Sequence, residues 1–329
     1  MSPSNSHVSC PMLYPAQDKP CIHYIKSEIT EECGFCDTGK HFHCIEALRH
    51  KLPAMSHSMF NNWTQCKMKV YYHNILGLSI KDIYLPVEMK LGKIWDRFMS
   101  GQPYADVKTE FALEPYEVAK INGLMRAYQA IGLCEPQGIP QQLVKSVILN
   151  AAVVIGYVDL GLFDGFNEYK LSARPDFNIQ PENIYQQCGL YFMGNPNWNW
   201  CDMKIARTPG LKQDQRKGET IDAYEERIFQ DVLSRPSHYF PGYNREAKTF
   251  GVRFYRGEFD LDYLEKKAKI VAQEYRETID RDAWYRNDMA CKNPYDCEFL
   301  HIKKSGVVSD LLYEVKNVGT TRDTPTQEK

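Results

Sequence analysis

Two periodicities divide the chain, and each predicts its own elements. Apolar residues recur at helical spacing in VEMKLGKIWDRFMSG (Val87, Leu91, Ile94, Trp95, Phe98) and in EPYEVAKINGLMRAYQAIGL (Val118, Ile121, Leu124, Met125, Tyr128, Ile131). Both read as amphipathic helices with the stripe turned to a core. ETIDAYEERIFQDVLSRP, with Ile221, Tyr224, Ile228 and Leu233 inward, is a third, stopped before Pro236. DLDYLEKKAKIVAQEYRETI, capped by Asp260 and packed through Leu261, Leu264, Ala268, Val271 and Tyr275, is a fourth. LPAMSHSMFNNWTQCKMKVYYHNILGL is expected to be one helix, capped by Ser56 or Ser58 and ending near Gly77. QQLVKSVIL, FGVRFYR and the run that follows NPNWNW read as strands.

The most informative stretch is Ala152 to Tyr191. It predicts a strand over Val153–Phe163, a tight turn at Asp164-Gly165, a second strand over Glu168–Ala173, a Pro-broken loop and a helix from about Pro181. Strands alternating with helices give an α/β fold, a central mixed β-sheet flanked by helices.

Side chains alternate along a strand, so Glu168 and Lys170 share one face. The turn places Asp159 almost opposite Glu168 or Lys170, where two carboxylates can hold one divalent cation. Oxygen ligands suit Mg²⁺ or Mn²⁺, and a neighbouring lysine can orient a water or offset phosphate charge. Gln187 and Tyr191, four apart, project from one face of the following helix and can position Lys170 or the substrate backbone.

In order, the chain carries Gly156-Tyr-Val-Asp159, Glu168-Tyr-Lys170 and Gln187-Cys-Gly-Leu-Tyr191. This series resembles the RecB-like branch of the PD-(D/E)XK nuclease superfamily, whose members include CRISPR-associated and bacteriophage exonucleases. The resemblance covers roughly residues 52–305 and implies a restriction-endonuclease-like core over 51–317, with Asp159 and Glu168 on metal and Lys170 assisting catalysis. Where the family often has Gly-x-x-x-His this chain has Gly92-Lys-Ile-Trp-Asp96, so Asp96 is either a further metal ligand or a surface acid paired with Lys93 or Arg97. Relatives often carry a glutamate near the start of the preceding strand, where Gln141 and Gln142 stand here. A rival registration, Pro175-Asp176 followed by Asp202-Met-Lys204, matches the family name literally but lacks a following Gln-x-x-x-Tyr. On the preferred registration Asp176 is a loop acid and Lys204 a solvent-facing strand lysine.

Composition is that of an ordinary globular chain, with 329 residues, 43% hydrophobic and 25% charged. No apolar run approaches the ~20 residues of a membrane span and MSPSNSHVSC has no signal-peptide pattern, so a cytoplasmic protein is expected, in host cytoplasm if viral. The net charge of −2 requires any affinity for nucleic acid to come from a local basic surface. Lys204, Arg207, Lys212, Arg216 and Lys217 are the candidate cluster, or simply solvated. Trp198 and Trp200 are either base-stacking platforms or core residues.

Eleven cysteines in such a chain point to thiols and metal ligands over a disulfide framework. Residues 1–50 hold Cys21, Cys33, Cys36 and Cys44 interleaved with His23, His41 and His43, and Cys33-Gly-Phe-Cys36 has zinc-knuckle spacing. The expectation is a structural Zn²⁺ on the four cysteines, with a histidine able to replace Cys21 or Cys44, serving to dock DNA, dock a protein or order the segment. The family resemblance implies a second cysteine site, an iron–sulfur cluster on Cys66, Cys291 and Cys297. His301 stands near the place of the last ligand, and a zinc ion or no metal are the other readings. The tail, 318–329, is polar and expected to be disordered.

The resemblance therefore implies a metal-dependent deoxyribonuclease, an exonuclease of phage-type recombination, repair or replication. It would act on single-stranded DNA or duplex ends, with recombination or replication proteins as partners. The competing expectation is a non-catalytic nucleic-acid- or protein-binding factor on a degenerate nuclease fold.

Overall fold

The computed structural model describes residues 54–101, 110–148, 152–288 and 297–315. Cys21, Cys33, Cys36, Cys44, Cys291 and the tail over 318–329 lie outside these described residues. The principal elements are β1 (Ala54–Ser56), α1 (His57–Gln65), β2 (Leu78–Ile80), α2 (Val87–Met99), α3 (Pro115–Ala130), β3 (Ile139–Ile148), β4 (Ala152–Gly161) and β5 (Gly165–Ser172). They continue with α4 (Pro181–Gly194), β6 (Trp200–Arg207), α5 (Ile221–Ser234), β7 (Val252–Tyr255), α6 (Leu261–Asp280), α7 (Leu300–Ser305) and β8 (Tyr313–Val315). The fold is α/β with a mixed sheet in the order β1-β4-β5-β6-β7, and β3 also pairs with β4. β1–β4 and β5–β6 are parallel, while β4–β5 and β6–β7 are antiparallel. No helix of the described residues is long and apolar enough to cross a membrane.

The described residues divide into two compact units interleaved in sequence. The first draws on those within 1–80, 145–155 and 262–329. Here the long helix expected up to Gly77 is broken at Cys66, whose φ of −162° and ψ of 115° are extended. Asn287 holds the break: its side-chain amide donates to the Gln65 carbonyl at 2.9 Å, and its N–H donates to Cys66 Sγ at 3.4 Å. The carbonyl that a helix end orphans is thereby satisfied. Ser56 is the cap, accepting from Met59 N at 3.1 Å. Trp63 packs edge-on against Tyr275 and Trp284, and β2 pairs with β8 over Leu78, Phe299, Ile302 and Tyr313.

The second unit, 81–144 with 156–261, holds the hairpin. The turn is shifted by one residue from the expected Asp164-Gly165, because β4 ends at Gly161 and Leu162 N–H donates to the Gly165 carbonyl at 2.8 Å, leaving Phe163-Asp164 at the tip. Leu160 therefore faces Asn167, and Gly161 faces Phe166. Helices cover both faces of this part of the sheet. Ile184, Cys188, Tyr191 and Phe192 of α4 pack on Val158, Phe166, Cys201, Met203 and Ile205. On the other face the stripes of α2, α3 and α5 (Ile94, Trp95, Leu124, Tyr128, Tyr224, Ile228) close around Ala206 and Phe250. The alternation of β6 explains the division, since Cys201, Met203 and Ile205 point one way while Lys204 and Ala206 point the other.

Candidate functional site

β5 pairs in register with β6, Glu168 beside Met203 and Tyr169 beside Lys204, so Glu168 and Lys170 face α4 while Asn167 and Tyr169 face the α3 side. On the α4 side, Gln187 Nε2 donates to Glu168 Oε2 at 2.8 Å and lies 3.2 Å from the Tyr191 hydroxyl. Lys170 Nζ is 3.3 Å from the same Oε2. Gly156 is required by this packing, because a Cβ there would sit 2.3 Å from Tyr191 Cε1. The Gly-x-x-Asp and Gln-x-x-x-Tyr patterns are thus one steric unit: the glycine admits the ring, and the ring's helix brings Gln187 to Glu168.

Asp159 is held from both sides. Its Oδ2 accepts the Tyr169 N–H at 2.7 Å, and its Oδ1 lies 3.3 Å from Gln141 Nε2. Asp96 of α2 joins the group, close enough to Asp159 and Lys170 for their charges to act on it. The two basic residues beside it on α2 are occupied elsewhere, Lys93 on Asp82 and Arg97 on Glu110. Among the described residues two buried carboxylate oxygens, Asp96 Oδ1 and Glu168 Oε1, have no hydrogen-bond partner.

The electrostatics follow from burial and crowding. Glu168 is 1% exposed. Burial first, then Asp159, pushes its carboxyl up to about 8 against the pull of Lys170. Burial and Asp159 likewise raise Asp96 to about 6. Desolvation pulls the Lys170 ammonium down, but Glu168 and Asp159 outweigh it and the group is held above its ordinary value. The Lys170 side chain, ion-paired to Glu168, is 43% exposed, so a cation reaches solvent at the edge of the cluster.

The other face of β5 carries an acid that the sequence reading missed. Glu135 accepts from Tyr128 Oη at 2.9 Å, Asn167 Nδ2 at 3.0 Å, Tyr169 Oη at 2.9 Å and Lys204 Nζ at 2.6 Å. Lys204 is therefore not a solvent-facing lysine, nor a member of a phosphate-binding cluster, since it is 1% exposed and ion-paired. Sequence gives no local sign of this, because Glu135 is a lone acid in a loop and its partners come from α3, β5 and β6.

The remaining expected residues are also placed. Arg207 is occupied by Asp176 and by the carbonyls of Ala173 and His238, which removes it from the phosphate cluster and removes Asp176 from the rival registration. Asp202 is tied bidentately to Arg253, whose guanidinium stacks 3.8 Å from the Trp200 ring. Trp198 is core, with its Nε1–H on the Leu162 carbonyl. In the other unit Cys66 and Cys297 both lie close enough to Tyr72 to raise its pKa, after the larger effect of burial, while His301 is exposed on α7. Among the described residues no group of three or more His, Cys, Asp or Glu side chains is arranged so that it could hold a metal ion.

Comparison of the chain with protein-family models, with curated proteins and with solved structures finds no match. The functional reading therefore rests on the residues themselves.

Proposed function

We propose that this chain is a Mg²⁺- or Mn²⁺-dependent deoxyribonuclease resembling the RecB-like PD-(D/E)XK branch, acting as an exonuclease. One observation carries the reading: two buried carboxylate oxygens, Asp96 Oδ1 and Glu168 Oε1, stand without partners in a group that also contains Asp159. A folded chain rarely leaves buried acceptors unpaired, and Asp159 acts as a like charge on both Asp96 and Glu168. A hard divalent cation answers both costs, and an all-oxygen donor set fits Mg²⁺ or Mn²⁺ better than softer metals.

When bound, such a cation supplies Lewis-acid polarisation of a phosphate and a water of lowered pKa. Asp96, Asp159 and Glu168 are the residues that would hold it. Gln187 restrains Glu168 through Oε2, which leaves Oε1 for the ligand position. Tyr169 N–H and the Gln141 amide restrain Asp159. Lys170, protonated and half in solvent, is placed to orient the attacking water or to donate to the charge that develops on the phosphate oxygens.

The alternative, a non-catalytic DNA- or protein-binding factor on a degenerate nuclease fold, draws on the finding that among the described residues no three His, Cys, Asp or Glu side chains are arranged so that they could hold a cation. Incubating the purified chain with labelled single- and double-stranded DNA, in Mn²⁺ and in chelator, separates the two. Metal-dependent cleavage lost in Glu168→Ala and Lys170→Ala supports the nuclease. Absence of metal-dependent cleavage, or cleavage untouched by both substitutions, rules it out.

A further inference from the structure

The hairpin that carries Asp159 and Glu168 ends in a turn, Leu162-Phe163-Asp164-Gly165, whose second residue is 98% exposed. Turn tips favour Gly, Pro, Asn, Asp and Ser, each for a backbone reason, and a phenylalanine meets none of those requirements. The backbone of the tip is tied down. Leu162 N–H closes the turn on the Gly165 carbonyl at 2.8 Å, Asn199 N–H donates to the Asp164 carbonyl at 2.7 Å, and the Trp198 indole donates to the Leu162 carbonyl at 3.0 Å. The Trp200 ring lies against Gly165 so tightly that a Cβ there would be 2.4 Å from it. The backbone is thus fixed from three directions while the aromatic ring is held out in water.

Arg253 lies beside the tip, near enough to Asp164 to interact with it, but its guanidinium is committed to Asp202 and stacked on Trp200. What the tip presents is therefore the π face of Phe163 with the exposed Asp164 beside it. Its distance from the acids is set by the strand: four residues separate Phe163 from Asp159, about 13 Å at ~3.3 Å per residue. At ~3.4 Å per stacked step that is about four bases.

We propose that Phe163 is a stacking post for an unpaired nucleobase about four steps from the scissile phosphate, so that the substrate is a single strand or a duplex end opened over that length. This rests on the nuclease reading and adds to it the state of the substrate and the residue that reads it. Every base has a π face, so the contact is indifferent to sequence.

The test uses the full-length chain with Ca²⁺ in place of Mn²⁺ for binding and Mn²⁺ for cleavage, comparing wild type, Phe163→Ala and Phe163→Trp. Loss of one base–aromatic stack predicts about ten-fold weaker binding of a single-stranded oligonucleotide by Phe163→Ala, with Phe163→Trp at or above wild type. A 2-aminopurine walked along the oligonucleotide should be quenched by wild type at one position, and that quench should vanish in Phe163→Ala. A dinucleotide, too short to reach the tip, should be cleaved equally by both. If wild type binds single strands and Phe163→Ala binds them as tightly with the same quench, the stacking post is refuted and the nuclease reading stands. If wild type neither binds nor cleaves DNA, the nuclease reading itself fails. A change in sedimentation of Phe163→Ala with unchanged DNA affinity would assign the ring to a contact between copies of the chain and overturn the inference.

Discussion

An acid and a lysine meet on each face of β5, and the two pairs are built differently. On the α3 side Glu135 has four donors, and Lys204 is buried against it at 2.6 Å with Thr249 Oγ1 a further 3.4 Å contact. On the α4 side Glu168 is more deeply buried than Glu135, yet its lysine contact is longer at 3.3 Å and partly exposed, one of its oxygens has no partner, and Asp159 lies close enough to repel it. In the first arrangement the acid itself is satisfied, although the Oδ1 of its donor Asn167 has no partner. In the second an oxygen of the acid is the atom left without one. Saturation of the acid, rather than the presence of a buried charged pair, is the difference between the two.

The largest expected effect breaks the scaffold pair. Removing one partner of a buried ion pair leaves the other uncompensated, so Lys204→Met should cost about 3–5 kcal/mol of unfolding free energy in urea titration. Lys170→Met, at a half-open site, should cost under about 1 kcal/mol while cleavage falls. Equal losses in the two variants would show that both pairs are structural and would erase the distinction.

Next is Glu168→Gln, which keeps the shape and removes a charge. With several kcal/mol of transition-state stabilisation resting on the metal site, cleavage should drop about 10²-fold or more. Stability in chelator at pH 8 should rise, since the variant no longer buries a carboxylate among acids. A loss of stability there would mean that Glu168 is satisfied in a way the unpaired Oε1 contradicts.

The pH dependence sharpens the same point. Glu168 at about 8 and Asp96 at about 6 are both above their ordinary values, so the folded chain binds protons more tightly than the unfolded one. Their contribution is fully present below the unfolded carboxyl range and is lost as pH rises through 6 and then 8. In chelator the Tm should therefore fall from about pH 5 to 9, by an amount on the order of a few kcal/mol in stability. Saturating Mn²⁺ should remove most of the fall, because the cation binds the deprotonated acids. A flat profile in chelator would show that the three acids do not share one pocket.

How far the sequence discloses this depends on the range of the interaction. The helices were legible because each stripe is a local pattern, and so was the hairpin, from Asp164-Gly165 between two apolar runs. The grouping of Asp159, Glu168, Lys170, Gln187 and Tyr191 was legible because one hairpin and one helix carry all five, so short-range geometry brings them together. The Glu135–Lys204 pair was not, because 69 residues separate its members and Lys204 on an alternating strand reads as solvated until the sheet's second face is known to be covered. The break at Cys66 was invisible for the same reason, its partner Asn287 being 221 residues away. Asp96 read either as a ligand or as a surface acid paired with Lys93 or Arg97, and only the pairing could be answered by structure: those two lie on Asp82 and Glu110.

The smallest effect tests whether the difference between open site and closed scaffold extends to glycine. Gly123 of α3 has no room, since a Cβ would lie 2.8 Å from Ile228 Cγ2 and 3.0 Å from the Glu225 carbonyl oxygen. Gly92 of α2, one turn before Asp96, would place a Cβ with nothing within 4 Å. A glycine inside a helix costs about 0.5–1 kcal/mol relative to alanine unless packing demands it. Gly92→Ala should therefore raise Tm by about 2 °C, with cleavage retained, and Gly123→Ala should lower it by forcing α3 away from α5. A bulkier change, Gly92→Phe, should leave Tm near wild type but reduce cleavage, because the space beside Asp96 is where a phosphate backbone would have to pass. Unchanged cleavage in Gly92→Phe would place the substrate path elsewhere and leave the glycine with no role at the site.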